Sequence, residues 1–483
     1  MKKEILVSLL IYISFEARAQ YDFSAVTQLL SDSIGVIGQT GQNAGFVIVQ
    51  GDSVLYEEYW GAWNSQTYQP IASGSKMPSM ALIMLLIDEG FLLINDTVQA
   101  YLPSFNGKPV ITLHQLMNHT SGLPGQSMYI SNSSLTLQES VDSIGQNTPM
   151  TSYASGTAFQ YGGVGMQVAG RMAEIATGVS WESLFQQKIA MPLGLTNTNY
   201  AGLGPSSNVR IAGGMGTTAP DFSKILTLLL NYGRYNNSQL IDSLSIYKLQ
   251  SDQTNGVPII GSPYSNDPLR KHFRYGYGVW VEEEFNGKTT QFGSQGAFGF
   301  SPWIDRCRKI ACVLFVRNSL GIVQPTQTKL RNLLEQLIPV QLQQPIISLN
   351  GSSLQSSYPD GNQWYLNDTL LFGETSTTLL PSVRGNYKVR FSSEEGCSVF
   401  SNEYFFTLLD NEAPTIEDEV TLFPNPSSSL IQVNCGNGYR IYSPMGQLCK
   451  MSSQPTTEIN ISDLSSGVYY LVTGNHALRF LKW

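Results

Sequence analysis

The segment from Met77 to Gly90 constrains the fold more than any other stretch of this chain. Met80, Leu82, Ile83, Met84, Leu85, Leu86 and Ile87 leave it without a polar face. A helix that is apolar on every side has to be enclosed by other elements, so this run calls for a large core around it. Gly90 marks its end, since glycine readily adopts the backbone that closes a helix. Immediately before the run stands Ser73-Gly74-Ser75-Lys76. At i and i+3 the serine and lysine share a helix face, which lets the lysine amine reach the hydroxyl. A serine hydroxyl is a weak nucleophile without a base, and lysine serves as one only where burial or cationic neighbours depress its pKa. A helix start also turns backbone N–H groups toward an attacked carbonyl, where negative charge develops. The same spacing recurs at Ser245 to Lys248, but the polar stretch Gln250 to Asn255 follows it, which reads as a surface segment.

The 483 residues, 42% hydrophobic and 13% charged, suffice for such a core and for more than one domain. A net charge of -8 without any Lys/Arg-rich run gives no electrostatic footprint for nucleic acid. Lys2 and Lys3 precede an apolar stretch from Ile5 to Phe15, and Ala17-Arg18-Ala19 supplies a small-x-small cleavage pattern. Residues 1–19 therefore read as a signal peptide. The stretch falls short of the roughly 20 apolar residues that span a bilayer, so no transmembrane anchor is expected. No cysteine follows the cleavage position, which argues against a lipid anchor. Of the five cysteines, Cys435 with Cys449 or Cys307 with Cys312 can pair in an oxidising compartment; buried free thiols are the other reading.

Two β-rich runs between Gly45 and Trp60 flank Gly51-Asp52-Ser53 and read as a hairpin. Further helices are expected at Gln167 to Thr177, Asp221 to Leu230 and Gln327 to Leu337, the last with Leu330, Leu333, Leu334 and Leu337 on one face. Tyr275 to Val281, Gly299 to Ile304 and Ile310 to Val316 read as strands. Strands at both ends with helices between predict an α+β domain over residues 20–340. In it an antiparallel sheet, assembled from distant parts of the chain, is flanked by helices and carries a helical subdomain.

At this point several landmarks line up. Ile71-Ala72-Ser73-Gly74-Ser75-Lys76, then Asp96 and Tyr101-Leu102-Pro103, then Leu116-Met117-Asn118-His119-Thr120-Ser121-Gly122-Leu123, then Gly213-Gly214-Met215-Gly216-Thr217 follow in order. Together they resemble the β-lactamase-related serine hydrolases, which include class C β-lactamases, D-Ala-D-Ala peptidases, D-aminopeptidases and carboxylesterases. The resemblance implies an acyl-enzyme on Ser73, with Lys76 and Tyr161 moving the proton. Tyr161-Gly162-Gly163 stands where the family has Tyr-x-Asn, so the side-chain amide is missing at Gly163. Ser294-Gln295-Gly296 stands where the family has Lys-Thr-Gly or His-x-Gly. It implies that Gly296 lets substrate lie against the strand and that the N–H groups of Ser73 and Ala297 hold the oxyanion. Ser294 replaces a residue that is cationic in many of the lactamases, which leaves an ester or amide more open as substrate than a β-lactam. His119 belongs to a landmark that is mainly structural in the family, and reads as a packing and hydrogen-bonding residue.

From Pro345 the composition turns to Ser, Asn, Gly and Thr with short alternating runs, which favours a β-sandwich over 345–410. Gln363-Trp364-Tyr365, Gly385-Asn386-Tyr387 and Gly396-Cys397-Ser398 resemble immunoglobulin-like modules, and Trp364 is expected in the sandwich core. A polar linker from Asp410 to Glu419 follows, carrying Pro414. Residues 420–483 read as short strands at Leu430 to Val433, Tyr439 to Tyr442, Gln447 to Met451 and Val468 to Val472. Leu422-Phe423-Pro424-Asn425-Pro426, Tyr442 to Gln447 and Leu464 to Tyr470 resemble the C-terminal sorting domain of type IX secretion cargo. That resemblance implies the secretion machinery as a partner and the cell surface or the medium as destination.

The sequence-based expectation is a secreted serine hydrolase acting on a small-molecule or peptide substrate. Its alternative is a catalytically inactive surface binding protein on the same fold, suggested by the losses at Gly163 and Ser294. There is no Gly-x-Ser-x-Gly elbow, no His-Glu-x-x-His and no paired Cys-x-x-Cys. Neither a metal nor a cofactor is therefore implied.

Overall fold

The computed structural model describes residues 21–267, 270–407, 420–433, 438–444, 446–474 and 476–483. The expected signal peptide, the expected linker at Asp410 to Glu419 and Cys435 lie outside them. The chain forms two compact units, divided between Pro339 and Val340.

The first unit begins with helix α1 (Ser24–Ile37), then strands β1 (Ala44–Gln50) and β2 (Ser53–Trp60). These strands pair antiparallel around Gly51 (φ 56°), giving the expected hairpin. The other strands of the sheet come from far along the chain: β3 (Arg274–Tyr275), β4 (Trp280–Phe285), β5 (Lys288–Gly293), β6 (Ser301–Asp305) and β7 (Ile310–Phe315). The seven-stranded sheet runs β2-β1-β7-β6-β5-β4-β3, every neighbouring pair antiparallel.

The continuous apolar runs of β1 and β7 are explained by burial on both faces. Phe46 and Ile48 of β1, with Cys312 and Leu314 of β7, face a core shared with α1 and with Val323, Leu330 and Leu334 of α6. That last helix spans Leu320–Leu337. Val47 and Val49, with Ala311, Val313 and Phe315, face the larger core on the opposite side. Alternation at period two thus sorts one strand into two cores. Each fully buried Val, Leu or Phe contributes about 1.5–3 kcal/mol.

The larger core is built around α2 (Lys76–Asp88), in which every residue from Lys76 to Leu86 is buried. Around it lie α3 (Val164–Thr177), α4 (Ala219–Leu230) and α5 (Ser243–Gln250). The α+β architecture with a helical subdomain is as the strand and helix pattern implies.

Some expectations are corrected. Tyr275 to Val281 is not one strand: β3 and β4 fold back on each other, pairing Tyr275 with Trp280. Gly278 turns the chain between them at φ 76°. The Ser245 to Lys248 segment is not merely surface; Ser245 is buried in α5 and donates its hydroxyl to Asp88 Oδ1 at 2.5 Å. Helix α6 starts seven residues before Gln327 and carries Pro325 in its second turn, where the missing N–H removes one bond of the helix ladder. Cys312 is a buried free thiol and Cys449 an exposed one, so neither proposed disulfide forms.

The second unit is all β among its described residues. Strands Ile347–Asn350, Ser353–Ser356 and Thr378–Leu379 form one sheet, and Asn362–Leu366, Thr369–Leu370, Gly385–Ser392, Ser398–Phe400 and Tyr404–Phe406 a second. Leu354, Trp364, Leu379, Tyr387 and Val389 fill the space between them. Trp364 is a core residue as expected, its Nε1–H donated to the Ser376 carbonyl at 2.9 Å. The Tyr387 hydroxyl donates back to the Val383 carbonyl at 2.8 Å, the corner contact typical of such sandwiches. The C-terminal strands Leu430–Val433, Tyr439–Tyr442, Leu448–Ser452 and Gly467–Thr473 fall where the alternation placed them. Ile431, Ile441, Ile459, Leu471 and Phe480 pack at their centre. Among the described residues no helix is long and apolar enough to cross a membrane.

Candidate active site

Ser73 sits in a single 3₁₀ turn, Ala72–Ser75, that runs directly into α2. Two further bonds stitch this turn to a distant loop. The Ser75 hydroxyl donates to the Ala72 carbonyl at 2.6 Å and accepts the Met215 N–H at 3.0 Å. The Ile71 N–H bonds the Met215 carbonyl at 3.0 Å. One turn further, Ser79 donates to the Ile211 carbonyl at 2.7 Å and meets the Tyr200 hydroxyl at 2.6 Å. The loop from Ile211 to Met215 is therefore clamped along the start of α2. Ala72 holds φ 45°, a strained value for a residue with a Cβ, next to the candidate nucleophile.

Lys76 is buried at 3% exposure. Its Nζ donates to Ser73 Oγ at 3.0 Å and to the Ala212 carbonyl at 2.9 Å, and it lies 4.7 Å from the centroid of the Tyr161 ring. Burial pulls its pKa down to about 7, so a large neutral fraction exists at physiological pH. Tyr161 follows the short strand Phe159–Gln160, with its N–H on the Gly261 carbonyl at 2.9 Å. Burial raises its pKa, and a hydrogen bond with Ser73 pulls it partly back, so the phenol stays protonated. Gly163 precedes α3; a Cβ there would make only ordinary contact with Ile130 Cδ1 at 3.5 Å and Ala212 Cβ at 3.6 Å. The backbone carbonyl of Ala212 is what holds the lysine in this protein.

His119 packs against Tyr161, Phe159 and Tyr275, with ring centroids 5.0, 5.8 and 4.8 Å away. Burial, and then the charge of Lys76, keep its pKa well below the usual value, so it is neutral. Its packing role is as expected, but its Nε2 has no hydrogen-bond partner among the described residues.

Ser294 and Gly296 both meet the loop that carries the nucleophile. Ser294 is buried and directs its hydroxyl to the Ser73 carbonyl at 3.3 Å, so it braces the nucleophile's backbone. A Cβ on Gly296 would lie 2.1 Å from the Ile71 carbonyl oxygen; the glycine is required by the nucleophile's own loop. Ala297, by contrast, is exposed to a cavity of about 580 Å³ that Ser73 and Tyr161 also line. The arrangement unites a hydroxyl, a base of depressed pKa, a phenol and two backbone N–H positions at one opening, the set acyl transfer needs. Sequence reasoning missed Ala212 and Gly278, whose Cβ position falls 2.4 Å from the Lys76 carbonyl oxygen. The double glycine at Gly213-Gly214 and the glycine pair at Gly276 and Gly278 were the available signals. Among the described residues, no group of three or more His, Cys, Asp or Glu is placed to hold a metal.

An antiparallel sheet flanked by helices, with a serine and lysine one turn apart at the head of an enclosed helix, defines the β-lactamase-like class of serine hydrolases. The chain belongs to the β-lactamase family, whose family model matches residues 36–335; a secretion system C-terminal sorting domain matches residues 421–481. That domain marks the protein for type IX export, to the cell surface or the medium. D-alanyl-D-alanine-carboxypeptidase/endopeptidase AmpH of Escherichia coli K12 is 24% identical over 46% of this chain and 67% of its own length. Esterase EstB of Burkholderia gladioli is 26% identical over 33% of this chain and 47% of its own. The matches to curated relatives span from a third to two thirds of those proteins. A crystal structure of a β-lactamase candidate from Bacteroides dorei DSM 17855 is 29% identical, covering 65% of this chain and 99% of that one, with a TM-score of 0.57.

Proposed function

We propose that the protein is a secreted hydrolase that cleaves an ester or amide through an acyl-enzyme on Ser73. The single observation carrying this reading is the 3.0 Å contact between Ser73 Oγ and a buried Lys76 whose pKa is drawn down to about 7. Lys76 takes the hydroxyl proton as Oγ bonds to the substrate carbonyl carbon. The resulting oxyanion is held by the N–H groups of Ser73 and Ala297. The alcohol or amine departs with a proton relayed through Tyr161, and water then attacks the acyl-enzyme, releasing the acid and restoring Ser73. The family's peptidases and esterases support this class of reaction. Ser294, without charge and turned away from the cavity, favours an ester or amide over a β-lactam.

We further propose a signal peptide over 1–19, the hydrolase domain over 20–340, an immunoglobulin-like module over 345–410 and the sorting domain over 420–483. The catalytic reading is tested with a fluorophosphonate probe and intact-mass detection. One adduct, lost in Ser73→Ala, supports it. Absence of labelling together with absence of ester turnover points to an inactive binding protein instead.

A further inference from the structure

The cavity at Ser73 is walled by uncharged groups, among them the carboxamides of Gln126, Gln160, Gln295 and Gln324. One of these amides is not free to turn. Gln295 Nε2 donates to Glu282 Oε1 at 2.6 Å, and Gln295 Oε1 accepts the Tyr264 hydroxyl at 2.7 Å. A carboxylate offers only acceptors, so the amide must present its NH₂ to Glu282 and its oxygen to the tyrosine. Both anchors are themselves fixed. Glu282 is ion-paired with Arg331, their side chains 2% and 14% exposed. Tyr264 is 1% exposed and meets Trp280 edge to face at 4.9 Å.

The count of hydrogens then decides what is left over. The amide oxygen accepts from Tyr264 and one amide hydrogen goes to Glu282, leaving one N–H as the unused donor, beside the oxygen's second lone pair, on a side chain that lines the cavity together with Ala297. A donor whose other hydrogen is held by a carboxylate is polarised and presents a fixed direction. A free carboxylate entering this cavity would shed water and find no cation on its wall, the one amine behind it, Lys76, being committed to Ser73 Oγ and the Ala212 carbonyl. The serine at 294 does not compensate, its hydroxyl being turned to the Ser73 carbonyl.

We infer that Gln295 is a specificity-determining residue: its remaining N–H receives an uncharged oxygen acceptor near the scissile carbonyl, and the site selects neutral, oxygen-bearing esters or amides over substrates with a free carboxylate. This rests on the hydrolase reading above.

The test compares kcat/KM for three p-nitrophenyl esters, each divided by its rate of hydroxide hydrolysis. The 3-methoxypropanoate and the pentanoate have matched shape and differ in one ether oxygen; the hemiglutarate adds a carboxylate. The expected order is methoxypropanoate over pentanoate by about five- to tenfold, the yield of one neutral hydrogen bond, with hemiglutarate lowest. In Gln295→Met the methoxypropanoate-to-pentanoate ratio falls to about one. Gln295→Asn, which keeps an amide but withdraws it, lowers the ratio in the same direction and serves if the methionine variant does not fold. A wild-type ratio near one, a preferred hemiglutarate, or a ratio unmoved in the variants overturns the inference while leaving the hydrolase reading standing. Lack of turnover of all three esters overturns the inference, and together with absence of fluorophosphonate labelling it overturns the hydrolase reading as well.

Discussion

The side-chain nitrogen of Lys76, itself only 3% exposed, lies 3.0 Å from the hydroxyl oxygen of Ser73, which opens onto the cavity. Position and burial act together: the same enclosure that aims the amine also lowers its pKa to about 7.

Ester hydrolysis should therefore rise with pH through about 7 and level off above it, because only neutral Lys76 accepts the Ser73 proton. A profile of kcat/KM between pH 5 and 9 checks this. An inflection near pH 5, or a falling limb through 7, would count against Lys76 as the base.

The same burial has a consequence for stability. A lysine that titrates near 10.5 in the unfolded chain but near 7 when folded binds more protons unfolded between those values, so stability rises with pH across that window. Replacing it with an uncharged side chain of similar length removes the penalty. Lys76→Met should raise Tm relative to wild type at pH 6, and the gain should shrink toward pH 10. Thermal melts of both proteins at the two pH values measure the difference.

Ser79 joins α2 to the Ile211 carbonyl and the Tyr200 hydroxyl. Ser79→Ala removes both contacts from the core and should cost about 1–3 kcal/mol, read from urea unfolding.

Gly278 turns between β3 and β4 at φ 76°, where a Cβ would fall 2.4 Å from the Lys76 carbonyl oxygen. Gly278→Ala should destabilise by more than about 1 kcal/mol and lower kcat, because the displaced atoms belong to the residue that carries the amine. Gly163→Asn is the contrasting case: its Cβ finds open contacts beyond 3.4 Å, so the variant should fold with stability within a few tenths of a kcal/mol of wild type.

What could be read from the sequence was local. The apolar run behind Ser73, the one-turn spacing to Lys76 and the hairpin at Gly51 each depend on neighbours in the chain, and each is present. What was not legible depends on contacts between remote segments. Nothing near Gly296 and Ser294 in the chain shows that the missing Cβ makes room for the Ile71 carbonyl or that the hydroxyl meets the Ser73 carbonyl, more than two hundred residues earlier. Tyr275 to Val281 carried a good strand composition, but two glycines inside it let the chain reverse against the backbone of Lys76. Ala212 left no side-chain signal, because its contribution is a carbonyl. Gln295 stood within a motif already singled out, but the tyrosine and carboxylate that orient it come from other strands and loops.

The sheet order has a consequence during synthesis. Gly45 lies opposite Phe315, so β1 must wait for nearly the whole hydrolase domain before its second edge is covered. Such late partnering slows closure of the sheet. Until Ile310 to Phe315 emerges, one edge of an apolar strand stays open to other chains, and a product truncated before that point is expected to aggregate instead of accumulating as a soluble fragment.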